Sequence, residues 1–133
     1  MPNITSVTGE TGTYTYTYTI PAGVYALLYW LHAVYTASGD AGTRQVKLII
    51  KDADGNLITD FHAGATQGAS TTRHYNFMQG IYRETSFVNN EIQVPISASL
   101  VLEPGWTMTI EDDSGTDSAT DVTAIDFQYE FLV

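Results

Sequence analysis

From Thr13 to Tyr35 the chain reads TYTYTYTI, then PAGV, then YALLYWLHAVY, and few folds can hold such a stretch. The first run sets Thr13, Thr15, Thr17 and Thr19 on one face and Tyr14, Tyr16, Tyr18 and Ile20 on the other. Strict alternation of this kind marks a half-buried β-strand, because successive side chains of a strand point to opposite faces. The second run has no polar face: Tyr25, Leu27, Tyr29, Leu31 and Tyr35 alternate with Val24, Ala26, Leu28, Trp30, His32 and Val34. It carries no charge, is rich in Tyr, Trp and Val, and follows a Pro-Ala-Gly turn, so it is expected as a strand rather than a helix. The two runs are expected to form a hairpin. A strand apolar on both faces needs two coverings, and a sandwich core supplies one.

The rest of the chain repeats the pattern. Val46, Leu48 and Ile50 alternate with Lys47 and Lys51, and Asp52-Ala53-Asp54-Gly55-Asn56 then marks a hairpin into Leu57 to His62. Ala63 to Thr71 is small and polar and is expected as an exposed loop. A further run starts at Arg73, with Gly80 marking a bulge or bend, and Ile92, Val94 and Ile96 form a short strand that Pro95 confines to an edge. After Glu103-Pro104-Gly105 come Trp106, Met108 and Ile110 on one face, then an acidic loop from Asp112 to Asp121. Ile125, Phe127, Tyr129, Phe131 and Val133 close the chain against Asp126, Gln128 and Glu130 on the other face.

About eight strands with turns at sandwich spacing predict an all-β, single-domain antiparallel β-sandwich. The Ile20-Pro21-Ala22-Gly23 turn is matched by Leu102-Glu103-Pro104-Gly105 in the second half. Two similar units suit two Greek keys and hence a jelly roll; an immunoglobulin-like sandwich is the alternative. Residues 1–12, polar and Gly-containing, are expected as a flexible N-terminal arm or a late-pairing edge, and residues 13–133 as the jelly-roll domain.

Charge and composition narrow the partners. Formal net charge is -10, from 15 acidic against 5 basic residues, so nucleic acid and anionic membrane surfaces are disfavoured by repulsion. The longest apolar run is shorter than a membrane-spanning helix requires. With no cysteine neither a disulfide framework nor a thiolate site can form. The opening MPNITSVTGE lacks the basic and apolar regions of a signal peptide, which points to synthesis in a reducing compartment.

Candidate chemistry is sparse. His32, His62 and His74 stand in no ligand-spaced pair and are expected to be structural or surface residues. Asp52, Asp54 and Asn56 begin a calcium-loop rhythm, but Gly55 comes too early in it. Glu111, Asp112, Asp113, Asp117 and Asp121 could crowd oxygens around Ca²⁺, yet a solvated acidic loop explains them. Glu84 and Glu91 lack any feature bringing them to glycosidase spacing. No nucleophile elbow, P-loop or dinucleotide fingerprint is present. The chain is therefore read as non-enzymatic, with no catalytic residue, metal or cofactor. One face of the strand at 24–35 is left over, and Tyr25, Tyr29, Trp30, Val34 and Tyr35 are the candidates for an oligomer interface, since an exposed apolar face favours self-association.

The strings IPAGVYALLYWLHAVY, LIIKDADGNLI and LVLEPGWTMTIEDDSGTDSATD resemble the small virion proteins of tailed bacteriophages, and among these the jelly-roll head decoration (cement) proteins. The resemblance covers most of residues 13–133 and rests on turn and strand patterns. It implies a capsid decoration protein that binds the outer surface of the major capsid protein lattice as a homotrimer. Such a protein is made in the host cytoplasm and resides on the virion surface. A carbohydrate-binding or receptor-binding module of a phage tail or fibre is the alternative, with Tyr14, Tyr16 and Tyr18 lining its groove.

Overall fold

A computed structural model describes residues 3–13, 15–112 and 120–132. Tyr14, Val133 and the acidic-loop residues Asp113 and Asp117 lie outside the described residues. Ten strands follow in order: β1 (Asn3–Gly12), β2 (Tyr16–Thr19), β3 (Tyr25–Thr36), β4 (Val46–Lys51), β5 (Leu57–His62), β6 (Thr72–Met78), β7 (Glu91–Pro95), β8 (Val101–Leu102), β9 (Thr107–Asp112) and β10 (Val122–Leu132). They build a six-stranded sheet, ordered β1-β10-β3-β6-β7 with β8 paired to β3, and a four-stranded sheet ordered β2-β9-β4-β5. The expected all-β sandwich is what forms.

Apart from β7 and β8, the chain passes from sheet to sheet as a jelly roll does. β1 lies in the large sheet, β2 in the small, β3 in the large, β4 and β5 in the small, β6 in the large, β9 in the small and β10 in the large. The core lies between the sheets. Ile20, Val46, Leu48, Ile50, Met108 and Ile110 from one side meet Leu28, Leu31, Tyr75, Phe77, Ile125, Phe127 and Tyr129 from the other. Phe127 meets Tyr18 edge to face at 4.8 Å between ring centres, and the Tyr18 and Tyr129 hydroxyls share a 2.9 Å hydrogen bond across the core. Two phenols taken out of water need such a bond; burial and this contact together push the Tyr18 pKa up.

The expected hairpin over Thr13 to Tyr35 is a crossover instead, because β2 and β3 belong to opposite sheets. Its Pro-Ala-Gly turn sits beside the later Pro-Gly turn: the Ile20 N–H donates to the Trp106 carbonyl at 2.8 Å and the Gly105 N–H to the Ile20 carbonyl at 3.0 Å. The matched turns are thus two neighbouring corners where the chain changes sheet. Gly23 (φ 76°) and Gly105 (φ 83°) supply the left-handed backbone there. The Asp52–Asn56 turn does make a true hairpin between β4 and β5. Its Asp52 carboxylate accepts the N–H groups of Asp54 (2.9 Å) and Asn56 (2.8 Å), and Gly55 takes φ 85°. Those hydrogen bonds explain the acidic rhythm as a turn.

Three further segments take definite form. Asn3–Gly12 is an edge strand of the large sheet, paired antiparallel with β10, the second of the two forms expected for that segment. Its register shifts between Val7 and Glu10, a bulge that breaks the alternation by which a strand is recognised. The loop 63–71 is not merely exposed: Ala63 and Gln67 are buried. Lastly, Pro95 does mark an edge strand, but β7 runs parallel to β6, and the connection 79–90 has the length a parallel crossover requires.

Candidate functional site

The face of the large sheet turned away from the core carries exposed apolar side chains among the described residues. Its make-up depends on a bulge. In β3, Ala26 and Leu28 point inward, as do Leu31, Ala33 and Tyr35, so the inward phase slips by one residue between Leu28 and Leu31. The slip coincides with the register shift of β10 between Gln128 and Tyr129. Tyr29 and Trp30 are therefore both outward: the Tyr29 hydroxyl donates to Glu130 Oε1 at 2.5 Å and Trp30 Nε1 to Gln128 Oε1 at 3.3 Å. The Glu130 contact, ahead of partial desolvation, raises the Tyr29 pKa.

That bulge sorts the five interface candidates. Tyr25, Tyr29, Trp30 and Val34 retain exposure, whereas Tyr35 is wholly buried. Its ring belongs to the core and its hydroxyl donates to Asp121 Oδ2 at 2.8 Å. Tyr35 is removed from the outer face because the bulge turns it inward.

The outer face has an apolar end and a polar middle. At the apolar end, Tyr25 pairs with Leu132 and Leu27 with Glu130. Leu27 also pairs with Val101 on its other side, and Ile4 lies opposite Glu130. Ile4 (50%), Tyr25 (46%), Val101 (38%) and Leu132 (36%) are all exposed, so four strands contribute one patch around the Tyr29–Glu130 pair. Toward the middle, Gln128 links Trp30 to Ser6, donating to the Ser6 hydroxyl at 3.1 Å.

Beyond that belt lies a contact the sequence did not reveal. His32 Nε2 and His74 Nδ1 are 3.0 Å apart, on the paired strands β3 and β6. Their planes differ by 15° with centroids 5.2 Å apart. Faces stack no closer than about 3.5 Å, so the 3.0 Å contact is an in-plane N–H···N bond between ring edges. The other His32 nitrogen, Nδ1, stands 3.7 Å from Asp126 Oδ2, and Asp126 Oδ1 accepts the Gly9 N–H at 2.9 Å. Outward alternation in each strand placed these residues on one surface; only the strand pairing brings them together.

A second polar constellation is internal. Arg44 and Asp121 are both fully buried. Arg44 Nε donates to Asp121 Oδ2 at 3.0 Å and Nη2 to Oδ1 at 3.2 Å; Ser38 N–H and the Tyr35 hydroxyl complete the carboxylate's partners. Burial works against the Asp121 charge, but Arg44 and the Ser38 and Tyr35 donors outweigh it and hold the pKa at about 2. Gln67 extends the network: its amide donates to the Tyr35 and Thr71 carbonyls, both at 2.8 Å, and its oxygen accepts the Tyr75 hydroxyl at 2.7 Å. Every group satisfies another, as buried polar groups must. This makes Asp121 an anchor for the strand after the acidic loop rather than a calcium ligand.

The remaining candidates separate. His62 lies 3.5 Å from Asp60, in a shallow cleft of about 250 Å³ shared with Phe61, Arg83, Val94 and Pro95. Glu84 accepts the Gln93 N–H at 2.8 Å and so staples the 79–90 connection to β7. Tyr16 and Tyr18 pack partly buried against the core, so the contacts of two of the three aromatics that a sugar site would have used are explained by packing. Among the described residues, no group of three or more His, Asp or Glu side chains is gathered to hold a metal ion.

No family model and no curated protein matches the chain. Among solved structures, it is similar to the structure of the infectious bursal disease virus Gx strain, with a TM-score of 0.40 at 11% identity. The crystal structure of the T13 particle of that virus gives 0.40 at 10%, and its VP2 subviral particle 0.38 at 11%. In each case 97% of this chain is covered. The chain spans about a third of those chains' lengths, from 31% to 32%. Likenesses of this size define neither a family nor a role.

Proposed function

We propose that the chain is a non-enzymatic virion protein that decorates the outer surface of a bacteriophage capsid and stabilises its lattice of major capsid protein. One observation carries the reading: the outer face of the large sheet presents Ile4, Tyr25, Val101 and Leu132 to solvent around Leu27 and Tyr29. A face of this composition is suited to protein rather than to nucleic acid or lipid, since the chain carries a net charge of -10. The sequence resemblance to decoration proteins supplies the kind of partner, and the jelly-roll path agrees with it. The face is divided: Tyr25, Tyr29, Trp30 and Val34 of β3 take the homotrimer contact, and Ile4, Val101 and Leu132 on the neighbouring strands are left for the lattice. Closed symmetry hides such a patch without generating fibres, and the number three comes from the resemblance. On a lattice, many weak identical contacts add up, because each bound subunit joins neighbours already held close.

Sedimentation with cognate capsids stripped of accessory proteins tests this. The wild-type chain is expected to pellet with the capsids, and Tyr25→Glu combined with Leu132→Glu to lose at least tenfold in apparent affinity. A chain that stays in the supernatant at saturating concentration contradicts the proposal.

A further inference from the structure

We propose that His32 and His74, with Asp126 behind His32, form a binding site for a divalent transition-metal ion of the imidazole-seeking class, such as Zn²⁺ or Ni²⁺. The two nitrogens already face one another at 3.0 Å. A tetrahedral ion with Zn–N bonds of about 2.0–2.1 Å holds two nitrogens about 3.4 Å apart, so the nitrogens must part by a few tenths of an ångström and each ring must swing by roughly 35° to aim its lone pair at the ion. In the free protein the His74 Nδ1–H points at His32 Nε2; for the ion to take that place the His74 ring carries its proton on Nε2 instead, a tautomer shift with no net proton released.

Behind the pair stands the arrangement that metal-binding histidines characteristically use. A ligating imidazole presents its second nitrogen to a carboxylate, which fixes its tautomer and raises its basicity. Asp126 Oδ2 is 3.7 Å from His32 Nδ1, just beyond hydrogen-bond reach, and its charge favours the Nδ1–H tautomer, which leaves the Nε2 lone pair toward His74. Asp126 is itself held: the Gly9 N–H donates to its other oxygen at 2.9 Å. Gly9 adopts φ 71° within the register shift of β1, so the bulge in that strand aims a donor at this carboxylate. β1 and β10 thus set a carboxylate beside the imidazole that β3 carries. Two protein ligands leave the remaining positions to water, which the partly exposed site admits, His32 being 30% exposed in its side chain. The chain's net charge of -10 raises the local concentration of any cation.

Calorimetry on the full chain, with Zn²⁺ and separately with Ni²⁺ at neutral pH, is the test. One site of micromolar affinity is expected, accompanied by a rise in melting temperature. His32→Ala and His74→Gln should each abolish both effects, Asp126→Asn should weaken binding by about 10-fold or more, and His62→Ala should change neither. His74→Gln keeps an amide facing His32 and guards against simple misfolding, which circular dichroism checks. Absence of binding at submillimolar ion, or binding that survives both histidine substitutions, overturns the site.

Discussion

Arg44 and Asp121 stand 77 positions apart and meet fully buried, so each depends on the other. Asp121→Asn leaves a guanidinium in the core with its charge uncompensated, a change that typically costs about 3–5 kcal/mol. Urea unfolding should show the loss as a lower midpoint at unchanged slope. The same pair sets an acid limit. The Asp121 pKa lies at about 2 in the fold against its ordinary value of 3.8. A depressed carboxylate contributes stability that is complete above the unfolded value and disappears as pH falls through the folded one. Between pH 4 and pH 2 the chain should therefore lose about 2 kcal/mol from this group alone. Unfolding free energies across that window should fall steeply in the wild type and less so in Asp121→Asn. Gln67, buried with three hydrogen bonds, carries its own liability: Gln67→Leu takes a donor from the Tyr35 and Thr71 carbonyls, the latter keeping the Ala37 N–H, and the acceptor from the Tyr75 hydroxyl, and should destabilise by about 1–3 kcal/mol.

At the scale of elements, alternation was enough wherever a strand is regular. β2, β4, β9 and β10 have the inward faces expected from their sequence, and the Asp-Gly hairpin closes where Asp54-Gly55 placed it. What stayed hidden was each irregularity. The bulge after Leu28 turned Tyr35 inward, and the shift at Val7–Glu10 disguised β1. Pairing was equally hidden: two Pro-Gly turns look like hairpin turns whether the next strand returns to the same sheet or crosses to the other. For the same reason, neither the His32–His74 contact nor the Arg44–Asp121 bridge could be seen before strands were placed beside one another. Loop 63–71 looked exposed because small polar residues usually are, yet Gln67 dives inward to tie down loop carbonyls. Gly64 shows how close that loop lies to its neighbour, since a Cβ there would overlap the Glu84 carbonyl oxygen. Gly64→Ala must push the loop and the 79–90 connection apart, at about 1–3 kcal/mol, read as a lowered melting temperature.

For the whole molecule, the sandwich buries its apolar core between the sheets and leaves apolar side chains exposed on the outer face of the large one. Tyr16 and Tyr18, two of the tyrosines expected for a sugar groove, pack partly buried against the core, while Tyr25, Leu132, Val101 and Ile4 remain outside. Self-association through that face predicts a mass above 14.6 kDa by light scattering at micromolar concentration. The double Tyr25→Glu, Leu132→Glu variant should return the monomer with its circular dichroism unchanged. A wild-type monomer would remove the oligomer, and a dimer would correct the number three. The central claim is that this face grips a capsid lattice and strengthens it, and the temperature at which cognate capsids rupture measures that gain directly. Saturating wild-type protein should raise it, and the double variant should leave it where bare capsids stand. An unchanged rupture temperature with the wild-type protein would contradict the claim.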